Sequence, residues 1–302
     1  MLTKKLSPRK LSRLFLCFLS SVLLLTFSVL LVLRLTIFSP NYLINQIDET
    51  NFSQSLADET NGMITQQLRG YNIPPDLISG LVTPATIQSE LSHTIENAYD
   101  NQEHISINSQ SVGNDLVERL NTYLAHNPNM NADEGVVETA GSIASDIYTR
   151  MTSMSFIRTG VSMLLEFENM VFIAMIATGI LWLLLSIITF LLLRKYFHRL
   201  LRYIAYASLG SGLMTIIAPA YLLSLGLVER ANTQSQAIHN LLTSYINNIL
   251  YTFLTIGGIF VLVGLLLAVV SELLSKKIRQ QIKTQKEEEE TYNYGSYLKK
   301  MN

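Results

Sequence analysis

Apolar residues in this chain fall into four long runs separated by polar text: Leu14 to Leu33, Met170 to Leu193, Tyr203 to Val228 and Ile249 to Leu274. Each is long enough to cross a hydrocarbon core, which takes about 20 helical residues. None holds an internal Asp, Glu, Lys or Arg, apart from Glu272 at the edge of the last. The pattern between the first and second runs is different. Ile87, Leu91, Ile95 and Tyr99 recur every four residues after Thr83-Pro84, an N-cap residue followed by proline at the first helical position. Leu116, Leu120, Tyr123 and Leu124 repeat the stripe, as do Val136, Val137, Ala140, Ile143, Ala144, Ile147 and Tyr148. Phe52, Leu56, Met63 and Ile64 form a weaker version, interrupted by Asn61-Gly62, and Ser39-Pro40 opens a further helix. Turn residues mark breaks at Asn72 to Pro75, Asp100 to Gln110 and Asn127 to Asn131. The pattern predicts four or five amphipathic helices in a small bundle, with strand-like alternation only at His104 to Ile107. About 130 residues suffice to bury a core unaided.

The predicted fold class is therefore an all-α membrane protein of four transmembrane helices, with an extracytoplasmic helical bundle inserted between spans one and two. The expected order is a basic cytoplasmic N-terminus (1–13), span one (14–34), the acidic outer domain (35–168), span two (169–193), a basic cytoplasmic loop (194–202), span three (203–228), an extracytoplasmic loop (229–248), span four (249–274) and a cytoplasmic tail (275–302). The last helix of the outer domain either runs straight into span two or is jointed at Gly160.

Charge sets the orientation. The net charge of -1 conceals an asymmetry. Between Phe38 and Asn169 stand four arginines, no lysine and 17 acids, a formal charge of -13 (4 positive against 17 negative). Lys4, Lys5, Arg9, Lys10 and Arg13 precede span one, Arg194, Lys195, Arg199 and Arg202 join spans two and three, and Lys276, Lys277 and Arg279 follow span four. Lysine and arginine near span ends stay on the cytoplasmic side, so both termini are expected there and the acidic segment outside. Span one reads as an uncleaved anchor, because its apolar run exceeds a signal-peptide core and bulky residues follow it.

The candidate chemistry is sparse. Cys17, the single cysteine, rules out an intrachain disulfide framework. His93, His104 and His126 lack the close spacing of zinc ligands, and the pairs Asp48-Glu49, Asp58-Glu59 and Asp133-Glu134 are not arranged as a calcium loop. No Gly-rich phosphate loop, nucleophile elbow or HExxH is present, so no catalytic, cofactor or metal residue is expected and the reading is non-enzymatic. Within the spans, Gly210 and Gly212 in span three and Gly257, Gly258 and Gly264 in span four allow close helix approach, and Pro219 removes a backbone hydrogen bond. These six residues are the candidate hinge or packing positions. Lys276 to Lys286 suits the anionic inner leaflet before Glu287 to Glu290 reverses the charge.

The stretch Asn41 to Asn101, with NYLINQIDETNFSQSLADET and then IPPDLISGLVTPATIQSELSHTIENAYDN, resembles the outer domain of uncharacterised four-span integral membrane proteins of low-GC Gram-positive bacteria. That resemblance implies a cell-membrane location and no particular activity. The expected function is an accessory or sensor-like subunit whose outer domain binds a partner or ligand. The alternative is a subunit of an oligomeric transporter or channel, with Pro219 and the span glycines lining or gating a path. Expected partners are the lipid bilayer and another membrane or cell-surface protein, or a second copy, with no nucleic acid.

Overall fold

The computed structural model describes residues 8–100, 108–127, 134–153, 155–193, 197–226, 229–230 and 235–301. All regular structure among them is helical: α1 (Pro8–Leu35), α2 (Pro40–Glu49), α3 (Phe52–Leu68), a 3-10 turn (Arg69–Tyr71), α4 (Pro75–Ile78), α5 (Pro84–Tyr99), α6 (Ser109–His126), α7 (Glu134–Thr152), α8 (Ser155–Leu193), α9 (Phe197–Leu225) and α10 (Gln236–Met301). His104 and the strand-like residues around it, Asp133, Arg194 and Lys195 lie outside the described residues.

Among the described residues four helices are long and apolar enough to cross a membrane, over Leu14–Leu35, Thr159–Leu192, His198–Leu225 and Gln236–Gln281. Their length and composition suggest a multi-pass membrane protein. Large apolar side chains stand exposed along these segments, among them Phe15, Ile173, Leu192, Ile217 and Leu266. Water would penalise that surface by roughly 25 cal/mol per Å², whereas acyl chains do not.

The chain divides into two units. One holds Met1–Val32, Phe172–Ser224 and Leu250–Asn302, and the other Leu33–Val171 and Leu225–Ile249. In the first, the span unit, α1 and α9 run parallel: the Cys17 thiol donates to the Tyr203 carbonyl at 3.8 Å and Ser28 bonds Thr215 at 3.1 Å. α8 runs antiparallel to α1, with the Trp182 indole N–H donating to Ser20 Oγ at 3.1 Å and Gly179 against the Phe27 ring. α10 runs antiparallel to α9, through bonds from Ser208 Oγ to the Phe260 carbonyl (2.8 Å) and from Ser271 Oγ to the His198 carbonyl (2.6 Å). Hydroxyls thus reach across to neighbouring backbones, the usual means of joining helices where solvent supplies no hydrophobic drive.

In the second unit, the insert, α2, α3, α5, α6 and α7 surround one core that includes Ile47, Phe52, Leu56, Ile87, Leu91, Leu116, Ala144 and Tyr148. The stripes on α5, α6 and α7 supply it as their spacing predicts. α6 and α7 approach closely enough that a Cβ on Gly113 would stand 2.6 Å from the Gly141 carbonyl oxygen, so only glycine fits that crossing. Thr83 caps α5 by accepting from the Thr86 N–H at 3.2 Å, whereas the hydroxyl of Ser39 makes no such bond to α2.

Three expectations are corrected. Asn61-Gly62 does not break its helix: α3 runs through it, because the Asn61 side chain exchanges two bonds with the backbone of Val82, at 2.9 and 3.0 Å. Gly160 is not a joint. The helical run stops at Ser153, and α8 begins at Ser155 and passes through Gly160 unbroken. Residues 229–248 are not simply a loop, since α10 already begins at Gln236 and its first turns belong to the insert.

Candidate functional site

The six span candidates divide by what surrounds them. Gly212 and Gly257 face each other across the α9–α10 seam: a Cβ at Gly212 would lie 2.8 Å from the Gly257 carbonyl oxygen, and one at Gly257 would lie 3.0 Å from that of Gly212. Further along the seam, a Cβ at Gly264 would meet Leu209 at 2.7 Å and the Ala205 carbonyl oxygen at 3.0 Å. Gly210 turns to the other side of α9, where a Cβ would fall 2.8 Å from Ser21 Oγ on α1. Gly258 has no neighbour within 4 Å of its Cβ position and takes no part in the seam. Pro219 is buried inside α9, which continues helically on both sides of it to Leu225. Its ring removes the donor that the Thr215 carbonyl would otherwise receive. Arg202 and Glu272, one on each helix of the seam, pair at 2.8 Å, which accounts for the acid at the edge of span four.

The insert gathers a second set of polar groups, and sequence reasoning missed it. Glu59 of α3 caps the start of α10: its Oε1 accepts from the Ala237 N–H at 3.0 Å and its Oε2 from Ser235 Oγ at 2.6 Å. Ser235 in turn accepts from the Ile238 N–H at 3.2 Å. A carboxylate at a helix N-terminus satisfies orphan donors and complements the helix dipole. One helical turn apart, Ala237 and Leu241 enter the insert core, and the Tyr245 ring packs edge-on against Tyr42 at 5.8 Å between centroids. Gln46, 4% exposed, accepts from the Asn248 side chain at 2.6 Å and from Ser244 at 3.3 Å while donating to Glu49 at 2.9 Å. The spacing Ala237, Leu241, Tyr245 was legible as one more apolar stripe, but His239, Asn240, Asn247 and Asn248 between and after its members give the text a loop-like composition.

At the end of α1, Arg34 pairs with Glu168 in the fourth turn of α8. Nearby, the Tyr99 hydroxyl donates to the Ile37 carbonyl at 2.7 Å. Burial, reinforced by the negative charge of Glu168, pushes the Tyr99 phenol up to about 12. Burial and a 2.7 Å bond to Glu90 likewise raise the Tyr148 phenol above its ordinary value, so both rings serve as neutral donors.

The other candidates stay apart. His93 is exposed on α5, and His126 bonds back to the Thr122 carbonyl at the end of α6. Among the described residues no three His, Cys, Asp or Glu side chains converge. Two open clefts mark the insert surface. One, of about 510 Å³, lies beside α6 between Leu77 and Arg119, Tyr123 and His126; the other, of about 580 Å³, lies between Met63 and Gln67 of α3 and Asp146 and Arg150 of α7. Arg119 is held at the first by donating to the carbonyls of Leu77 and Ser79 and by pairing with Asp115 at 3.0 Å. Both clefts are open to solvent rather than enclosed. No family model matches the chain, and neither a curated protein nor a solved structure matches it.

Proposed function

We propose that this chain is a non-enzymatic subunit of the cell membrane, accessory or sensor-like, whose insert lies outside the cell with both termini inside and binds a partner protein or ligand. The reading is carried by the way residues 236–249 are built into the insert core by the Glu59 cap, Leu241 and the Gln46 bonds. α10 then continues to Met301 as one helix. A change in the insert on binding would therefore act on a helix that also supplies span four and the tail. The acidic text of the insert and the basic flanks of the spans support the orientation, and the resemblance of Asn41 to Asn101 to outer domains of low-GC Gram-positive bacteria agrees with it.

The transporter or channel alternative needs a polar path along the spans. The direct backbone contacts at Gly212–Gly257 and Gly264–Ala205 leave no room for one between α9 and α10, which favours the accessory reading. The test is photocrosslinking in intact cells, with photoreactive residues at Gln67 on α3 and Glu118 on α6, both on the cleft-bearing faces, and at Leu222 on α9. Reproducible capture of one other protein from the insert positions supports the proposal. Capture of the chain by itself alone, from Leu222, supports an oligomeric channel or transporter instead.

A further inference from the structure

We propose that α8 from Met163 to Met170 lies in the interfacial layer of the bilayer, its exposed apolar face covered by lipid. The insert hides most of its large apolar side chains, and apart from Met63, Tyr71 and Ile246 the exposed ones are grouped. Met163, Phe167 and Met170 on one face of α8 are 62%, 54% and 68% exposed, Leu164 stands beside them, and Leu35 at the end of α1 is 52% exposed. Leu35 stands at the same level as Phe167, because the neighbouring Arg34 pairs with Glu168. An apolar patch of this kind on a polar unit requires a cover.

Three observations favour lipid as that cover. First, the apolar stretch of α8 runs 34 residues, Thr159 to Leu192. At 1.5 Å per residue it is about 51 Å long, against a hydrocarbon core of about 30 Å. Tilt and immersion in the interface are the ordinary responses to such an excess. Second, the exposed face continues down the same helix into Ile173 and Ile180, which face acyl chains in any case. Third, the charges at this level are suited to immersion. Arg34 and Glu168 neutralise one another, which leaves Glu166, exposed, as the one unpaired acid among Leu35 and residues 163–170. An amphipathic segment with Phe and Met on its apolar side sits about 5–10 Å into the headgroup and acyl boundary. This inference does not depend on which side of the membrane the insert occupies, nor on whether it binds a partner.

Trp182 is the only tryptophan, so tryptophan fluorescence can be placed at will in a Trp182→Phe chain. Full-length protein carrying Met163→Trp or Phe167→Trp is reconstituted into phosphatidylcholine vesicles brominated either high or low on the acyl chain. Met63→Trp, at an exposed position on α3, serves as the reference. Positions 163 and 167 should give blue-shifted emission quenched more by the shallow bromines than by the deep ones, while position 63 emits as in water. Water-like, unquenched emission at 163 and 167 would overturn the proposal. Blue-shifted emission that no brominated lipid quenches would also overturn it, by showing that protein covers the stripe. If loss of the Trp182 bond to Ser20 prevents folding, nitroxides on Met163→Cys and Phe167→Cys in a Cys17→Ser chain read the same immersion from their relaxation by oxygen against a water-soluble nickel complex.

Discussion

Two glycines one residue apart in α10 have opposite surroundings, and the difference is measurable. Gly257 has a partner carbonyl 3.0 Å from its Cβ position, and Gly258 has nothing within 4 Å. Gly257→Ala should therefore force the α9–α10 seam apart and destabilise the protein by about 1–3 kcal/mol, as overpacking does. Gly258→Ala should be neutral or slightly stabilising, since alanine is the better helix former. Thermal unfolding of the purified protein in detergent checks both, and equal melting temperatures for the two variants would show that the seam is not closed as described. Tyr99 makes a second prediction at this scale. Its phenol ionises at about 12 in the folded chain but near 10 in an unfolded one. Below pH 10 both states keep the proton and the Tyr99 contribution is complete. As pH rises from about 10 to about 12 only the unfolded state gives up the proton, so that contribution is progressively lost. Tyr99→Phe should be less stable than the parent at pH 8, by the lost bond to Ile37, and the gap should narrow towards pH 12 in denaturation followed by circular dichroism.

At the level of elements, α10 shows where sequence reading stops. Its membrane portion was plain, because an uncharged apolar run leaves no competing interpretation. Its first turns were not, because helix from Gln236 is specified by partners distant in the chain. Glu59 caps it from 178 positions away and Gln46 holds Asn248 from 202. The same holds for α3, where a local turn signal at Asn61-Gly62 yields to two bonds with Val82. By contrast α5, α6 and α7 were legible, since each carries its own apolar stripe and buries it directly. Of the seam, the glycines were visible in the text, but which of them meet was not: that depends on the register between α9 and α10. If the link between spans three and four is truly part of the insert, weakening it must loosen the insert. Leu241→Ala removes a side chain 2% exposed and should cost about 2–5 kcal/mol. Glu59→Ala should cost about 0.5–2 kcal/mol as a lost cap. Hydrogen exchange should then speed up in α2, α3 and the 236–249 turns together for Leu241→Ala, but mainly in residues 236–240 for Glu59→Ala. Faster exchange confined to 236–249 in both variants would mean that these turns pack beside the core without completing it.

Across the whole molecule, the proposed orientation rests on one kind of asymmetry, that every lysine lies outside the segment from Phe38 to Asn169. Retention of cationic residues on the cytoplasmic face is a statement about insertion, and it acts through the short flanks of each span instead of through net charge. The flanks agree with one another, since a reversal at any one span would place either Arg199 and Arg202 or the run from Lys276 to Arg279 outside. Labelling separates the two orientations cleanly, because the chain has a single native cysteine. In a Cys17→Ser chain, a cysteine at Gln67 on the exposed side of α3 should react with a membrane-impermeant maleimide in intact cells. One at Gln280, exposed on α10 beyond span four, should react only after the membrane is opened. The reverse result would place the acidic insert in the cytoplasm. Labelling of both positions in intact cells would mean that the four helices do not all cross, and the 34-residue apolar length of α8 would make its interfacial start the first place to look for the exception.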